Sequence, residues 1–332
     1  MKSYKGILVL LIILIVISVL TYYVLNADQS TSTSPKETGF AIKDTANVYK
    51  IFMKDSKNMV VLTRKGSNNW LLNEKEPANT TLVNTILETV YLVSVKSPVP
   101  QTMKSQTREM LAQKSMMVQF FDKNNNILKE FYIAGQAGEN GTYARLKSAK
   151  DPYIINIDGF NGYLTTRFTT DTLLLKSRRI FKTPVHNIAQ IEVKYTSGDS
   201  SYVLIQPEPT RWYIDNKEVT HNYFVQKGIK YFRNGIALLE ISMYPDSTLI
   251  TKQREDSLLN QAKPFAYITF TLKTGEKHKV SFYWRYFRGK IEPSSYWSVI
   301  NDRKRIVITQ EYVFGHWLQS KKNMLKIPAI HK

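Results

Sequence analysis

Apolar and polar positions follow three regimes along the chain. From Ile7 to Leu20 every residue is apolar except Ser18, and the run continues through Thr21, Tyr22, Tyr23, Val24 and Leu25. A helix of about 20 apolar residues spans a bilayer core. Tyr22 and Tyr23 stand near its far end, where amphipathic rings suit the interface, and Lys2 and Lys5 favour a cytoplasmic N-terminus. Leu25-Asn26-Ala27 is a poor signal-peptidase site, and a lipoprotein would need an acceptor cysteine that the chain lacks. Residues 1–25 therefore read as an uncleaved signal-anchor. The second regime, 26–39, is rich in Ser, Thr, Asp and Lys with Pro35 and has no apolar period, as expected of a flexible tether.

From Phe40 onward short apolar alternations are separated by polar turns. Val48–Lys54 and Val60–Lys65 read as strands around Asp55-Ser56-Lys57-Asn58, and Trp70-Leu71-Leu72 as a third. Leu82, Val83, Ile86, Leu87, Val90 and Tyr91 recur at helical spacing, with Asn79 or Thr80 placed to cap the helix. Ser105–Lys114 is a weaker helix. Met117–Phe121 and Ile127–Ile133 form a hairpin across Asp122–Asn126, and Gly141–Lys147 with Tyr153–Ile157 another. Short polar turns imply antiparallel pairing.

This unit recurs. Sliding the chain by 142 positions lays Tyr49–Tyr91 on Ile191–Arg233, with Trp70 on Trp212, Leu62 on Leu204, Ile51 on Val193 and Val83 on Val225. The helical stripe of the second copy is Val225, Gly228, Ile229 and Phe232. A slightly larger shift matches Val118 and Phe120 with Ile268 and Phe270, Tyr132-Ile133 with Phe282-Tyr283, Tyr143 with Tyr296, and Ile155 with Ile308. The expected architecture is α+β: an N-terminal transmembrane helix, then two tandem duplicated α+β modules with mostly antiparallel sheets, residues 40–183 and 184–322, and a tail, 323–332. Trp70 and Trp212 sit inside apolar patterns and read as core aromatics.

Charge adds a partner class. The chain has 46 basic and 27 acidic residues, and without Lys2 and Lys5 the remainder carries 44 against 27, or +17. Long translocated domains do not obey the positive-inside count, so this is compatible with export. It favours anionic head groups, envelope polymers or acidic partners. Basic clusters are small, at Lys176–Arg179 and Arg303–Arg305, and nothing beyond charge resembles a nucleic-acid-binding signature.

Catalytic signatures are not apparent. His186, His221, His278, His316 and His331 show no metal-ligand spacing, and no cofactor, metal or catalytic residue is assigned. There is no Gly-x-Ser-x-Gly elbow, Walker loop or dinucleotide fingerprint. The Gly135–Gly141 stretch lies between strands and opens no helix, so it reads as a mobile loop. Glu208 and Asp215 are indistinguishable from surface charges. Two segments stand out for binding. Tyr283-Trp284-Arg285-Tyr286-Phe287-Arg288-Gly289-Lys290 alternates aromatics with cations that can stack sugars or hold anions; as a strand it sets Tyr283, Arg285 and Phe287 opposite Trp284, Tyr286 and Arg288. Asp158–Tyr163, with Phe160, Asn161 and Tyr163, reads as a recognition loop or a structural corner.

Phe40-Ala41-Ile42-Lys43-Asp44-Thr45, Trp70-Leu71-Leu72-Asn73, Lys96-Ser97-Pro98-Val99-Pro100 and Phe160-Asn161-Gly162-Tyr163-Leu164-Thr165-Thr166-Arg167-Phe168 together resemble a bacterial family known as domain of unknown function 4340. Thr166 stands where the family typically has proline. The resemblance covers most of the chain after the tether, the first copy more clearly than the second. It implies an N-terminal anchor, a Bacteroidetes-like source and an envelope location, with members often accompanying gliding-motility-type ABC transport systems; it carries over no catalytic residue. The combined expectation is a non-catalytic inner-membrane protein, anchored through residues 7–25 with its C-terminal part periplasmic. It would act as an accessory of an envelope complex with integral-membrane transporter subunits as partners. A binding module for anionic envelope polymer or lipid, and an unrecognised hydrolase, are the alternatives.

Overall fold

A computed structural model describes residues 13–19, 21–22 and 39–326, apart from 199, 209, 231–235 and 302–304. It is α+β, and every strand pairing in its two large sheets is antiparallel. The chain divides into two compact units between Thr170 and Asp171. This lies upstream of the 183/184 boundary read from the repeat, because Arg179–Pro184 is itself a strand paired within the second unit.

The first unit contains β1 (Lys50–Lys54), β2 (Met59–Gly66), β3 (Asn69–Leu72), β4 (Glu76–Pro77), α1 (Thr80–Leu92), β5 (Ser94–Pro98), α2 (Lys104–Lys114), β6 (Met116–Phe121), β7 (Ile127–Ala137), β8 (Gly141–Leu146) and β9 (Tyr153–Asn156). They form one nine-stranded sheet, ordered β4-β3-β2-β1-β6-β7-β8-β9-β5. Alternation of apolar side chains sets its buried face. Val60, Met53, Val118, Phe131 and Leu146 are ladder partners in one row across five strands, and all are buried. Asn79 caps α1 by accepting from Leu82 N (3.4 Å), and the helix buries Val83, Ile86 and Val90. Beside α2, Met110 packs with Val99, Ala137 and Tyr143 in a separate small cluster.

The second unit contains β10 (Arg179–Pro184), β11 (Ile188–Tyr195), β12 (Tyr202–Glu208), β13 (Arg211–Ile214), β14 (Lys217–Glu218), α3 (Tyr223–Lys230), β15 (Ile236–Glu240), α4 (Lys252–Asn260), β16 (Ala266–Leu272), β17 (Lys277–Phe287), β18 (Lys290–Ile300) and β19 (Val307–Gln310). Its eight-stranded sheet, β14-β13-β12-β11-β16-β17-β18-β19, has the same connectivity as the first. The equivalent row is Tyr202, Val193, Ile268, Val280 and Ile300. One difference separates them: β5 joins the large sheet through β9, whereas β15 pairs with β10 in a two-stranded sheet.

These rows correct the sequence alignment. Ile51 corresponds to Ile191 and Met53 to Val193, because Ile51 pairs with Leu62 and Ile191 with Leu204. The turn after β11 holds the two extra residues. Farther along, Ile133 corresponds to Phe282, Tyr143 to Trp297 and Ile154 to Ile308. The sequence match was one residue off there, and one residue on a strand exchanges its faces.

Other expectations shift as well. The glycine-rich stretch is shorter as a loop: β7 continues to Ala137, leaving a turn at Gly138, Glu139 and Asn140. The tail begins later than 323. Met324 is fully buried, and Asn222 Nδ2 donates to Asn323 O (3.1 Å) and Lys326 O (2.7 Å). Trp70 and Trp212 are core residues, each 1% exposed. Residues 13–19 are helical, and the described apolar side chains among them are exposed. Among the described residues no helix is long and apolar enough to cross a membrane. The rest of the expected anchor, residues 26–38 of the expected tether, Phe232, Arg303, Lys304 and residues 327–332 lie outside the described residues.

Candidate functional site

The aromatic and basic stretch forms the end of the β17–β18 hairpin. Arg288 (φ 49°) and Gly289 (φ 78°) are its two turn residues. Two successive positive φ values match the twist of a two-residue hairpin turn, and Phe287 pairs with Lys290 and Tyr286 with Ile291. At its base Trp284 pairs with Tyr296 and stacks on Phe265 (3.9 Å between centroids, 12° between planes). Between these ladders Arg285 alone faces Glu292–Ser295. The bulge bends the strand and re-aims side chains, so the simple two-face alternation expected of 283–288 stops at Trp284.

The aromatics and cations of 283–290 therefore have different surroundings on the two sides of the bulge. Tyr283 is buried, in a cluster with Ile250, Leu258, Trp297 and Ile308, and does not belong to the surface. Arg285 donates to Ser295 Oγ (2.7 Å) and lies over the Trp297 ring (5.2 Å). Trp284 is 41% exposed, Tyr286 55%, Phe287 60% and Ile291 47%. Arg288 lies over the Phe287 ring (5.2 Å), and Lys290 is exposed beside it. The nearby acid, Glu292, is turned onto Ser294, accepting from its N (3.2 Å) and Oγ (2.6 Å). Those hydrogen bonds hold its carboxyl below the usual value. The result is a projecting tip of Tyr286, Phe287 and Ile291 flanked by cations, on a base fixed by aromatic packing. Ile291 and Phe265 carry no signal of this site in the sequence, because Ile291 meets Tyr286 only through the register beyond the bulge and Phe265 reaches Trp284 from the residue just before β16.

The Asp158–Tyr163 segment is a pinned corner. Phe160 lies under the Arg167 guanidinium (4.1 Å), which also reaches Glu88 Oε2 (3.1 Å). Asn161 Oδ1 accepts from Asn140 Nδ2 (3.2 Å), and Tyr163 OH donates to Gly138 O (3.2 Å). The polar groups of this segment thus hold it against the β7–β8 turn.

Several ionisable groups elsewhere are tied into local structure. Glu208 sits 3.7 Å from Arg211, and Asp215 2.5 Å from Lys321. Among the described residues Glu130 is the one buried carboxylate, accepting from Gln119 (2.9 Å) and Lys147 (2.9 Å). Burial raises its carboxyl, and these donors reverse that to a net lowering. His278 stacks on Phe181 (4.7 Å, 17°), with Nε2 3.2 Å from Glu276. Burial lowers its pKa against that neighbour. Among the described residues no group of three or more His, Asp or Glu is placed to hold a metal ion. Compared with family models, curated proteins and solved structures, the chain finds no match in any of the three.

Proposed function

We propose that this protein is a non-catalytic, single-pass protein of a bacterial envelope, its N-terminus cytoplasmic and its two units on the periplasmic side of the inner membrane. The two units are tandem copies of one α+β module, a reading supported by their shared connectivity. The observation that carries the anchor is the run from Ile13 to Val19, helical and with its described apolar side chains at least half exposed. Apolar helical surface of that kind is stable in lipid and unfavourable in water. A tether of 14 residues, 26–39, reaches at most about 50 Å when fully extended. It confines the first unit to a layer near the membrane and raises its effective concentration for membrane partners.

Within that layer the protein serves as an accessory or scaffold of a membrane complex. An ABC-type transporter is the most concrete partner, supported by the family resemblance. The test is purification of the full chain from mildly solubilised membranes after crosslinking in intact cells, beside a variant lacking residues 1–25. A stoichiometric integral-membrane partner, lost from the truncated variant while its circular dichroism is unchanged, is the expected result. Recovery of the full chain alone, or equal assembly by the truncated chain, overturns it. A second reading, a binding module for an anionic polymer or lipid, is favoured by the exposed aromatic and basic hairpin.

A further inference from the structure

The geometry points to the β17–β18 tip as a membrane-contact device: Tyr286, Phe287 and Ile291 enter the interface of an anionic bilayer while Arg288 and Lys290 bind its head groups. This specifies the second reading above and rests on the anchor only to bring the tip near lipid.

Three observations favour lipid over another occupant. The apolar side chains crown a hairpin end, and each is about half exposed or more. Tyrosine and phenylalanine at the end of a strand pair suit the head-group boundary, where an amphipathic or aromatic ring is partly wetted and partly buried. The cations flank the rings, matching a negatively charged plane whose attraction is worth about fivefold in partitioning per Lys or Arg. The tip is also preorganised. Stacking of Trp284 on Phe265, the Arg285–Ser295 bond and the two-residue turn hold it before contact, so little ordering entropy opposes insertion. Glu292, the nearby acid, is held ionised by its bonds to Ser294 and opposes the attraction to that plane, so the contact depends on Arg288 and Lys290 together.

The chain has no cysteine, so one introduced thiol gives one labelled site. The full chain is reconstituted with an environment-sensitive fluorophore at Phe287→Cys, or at Thr274→Cys in the β16–β17 turn at the other end of β17. Vesicles are of phosphatidylcholine alone or mixed with phosphatidylglycerol, with and without nitroxide-bearing lipid. Flotation first shows that the protein is vesicle-bound, which reports on the anchor independently. In anionic vesicles the label at 287 is expected to shift to the blue and be quenched by the nitroxide lipid, and the label at 274 to do neither. Arg288→Gln with Lys290→Gln is expected to lower the inserted-to-free ratio about 30-fold, and high salt to lower it similarly. Equal wetting of both labels in anionic vesicles overturns the proposal. So does a 287 label shielded only in native membranes, which would mean a protein partner, or one shifted equally by soluble polyglutamate over neutral vesicles, which would mean a polymer.

Discussion

Arg64 on β2 donates from Nε to Val48 O (2.7 Å) and from Nη2 to Thr45 O (3.0 Å), and lies over Trp70 (4.6 Å). Gln206 occupies the corresponding place on β12; its side-chain amide faces Val185 O (3.0 Å) and Ile188 O (2.9 Å), two acceptors that only its nitrogen can serve, which assigns the amide orientation. Both residues satisfy the first carbonyl of a short helical turn, Thr45–Asn47 before β1 or Val185–Asn187 before β11, and the carbonyl just after it, and an unsatisfied buried acceptor is costly. Arg64→Ala is therefore expected to lower stability by about 1–3 kcal/mol, and Arg64→Gln, which restores the Gln206 arrangement, by clearly less. Urea denaturation of the two variants measures the difference. Gly228 on α3 meets a different constraint: a Cβ there would stand 2.3 Å from the Trp317 ring. Gly228→Ala must displace a buried indole and is expected to destabilise by about 1–3 kcal/mol, although alanine favours helix. A neutral or stabilising result in the same assay would refute that close contact. His278 gives a pH signature. Its folded pKa is below the unfolded one because burial disfavours the imidazolium, so its contribution is complete above the unfolded value of about 6.5 and lost as pH falls below it. The thermal midpoint should decline from about pH 6.5 downward, and His278→Gln should flatten that decline. His316, lowered by burial in the same direction, retains a part.

At the level of elements, hairpins were readable because each is written locally as alternation interrupted by turn residues. Every strand expected in the first unit is found within a few residues, and Asn79 caps α1 as its position suggested. Registers between elements were less readable. Two residues added after β11, and one-residue offsets beyond β6, are invisible to an alignment of apolar positions, yet they decide which face each side chain takes. The binding candidate shows the same limit. The alternation of 283–288 is legible, while the bulge that breaks it after Trp284 depends on Glu292–Ser295 across the ladder, and the burial of Tyr283 on Ile250, Leu258 and Trp297, distant in sequence. The tip also makes an energetic prediction. Tyr286→Ser with Phe287→Ser removes exposed rings and is expected to change stability by about 0.5 kcal/mol or less per site. Phe282→Ala, four residues upstream and fully buried, is expected to cost about 3–5 kcal/mol. A comparable loss from the tip pair, by the same denaturation assay, would mean that the rings support the fold and are not held out for contact.

The whole chain joins two units that each own a sheet and a core, and its tryptophans are distributed so that their independence is measurable. Trp70 is the single tryptophan before residue 171, and the other four, Trp212, Trp284, Trp297 and Trp317, follow it. In a Trp70→Phe background, fluorescence reports the second unit alone, whereas far-ultraviolet circular dichroism reports both. Ile51→Val removes one buried methylene from the centre of the first sheet and should lower that unit's stability by about 1 kcal/mol. If the units unfold independently, adding Ile51→Val shifts part of the dichroism transition and leaves the fluorescence midpoint unchanged. Coincident shifts of both signals would show that the two sheets unfold as one cooperative body. Independence would matter for the envelope reading. Each unit could then change or lose a contact surface without unfolding its neighbour, which gives a physical reason for matching sheets to end so differently, one pinned at Asp158–Tyr163 and the other open at Tyr286–Ile291.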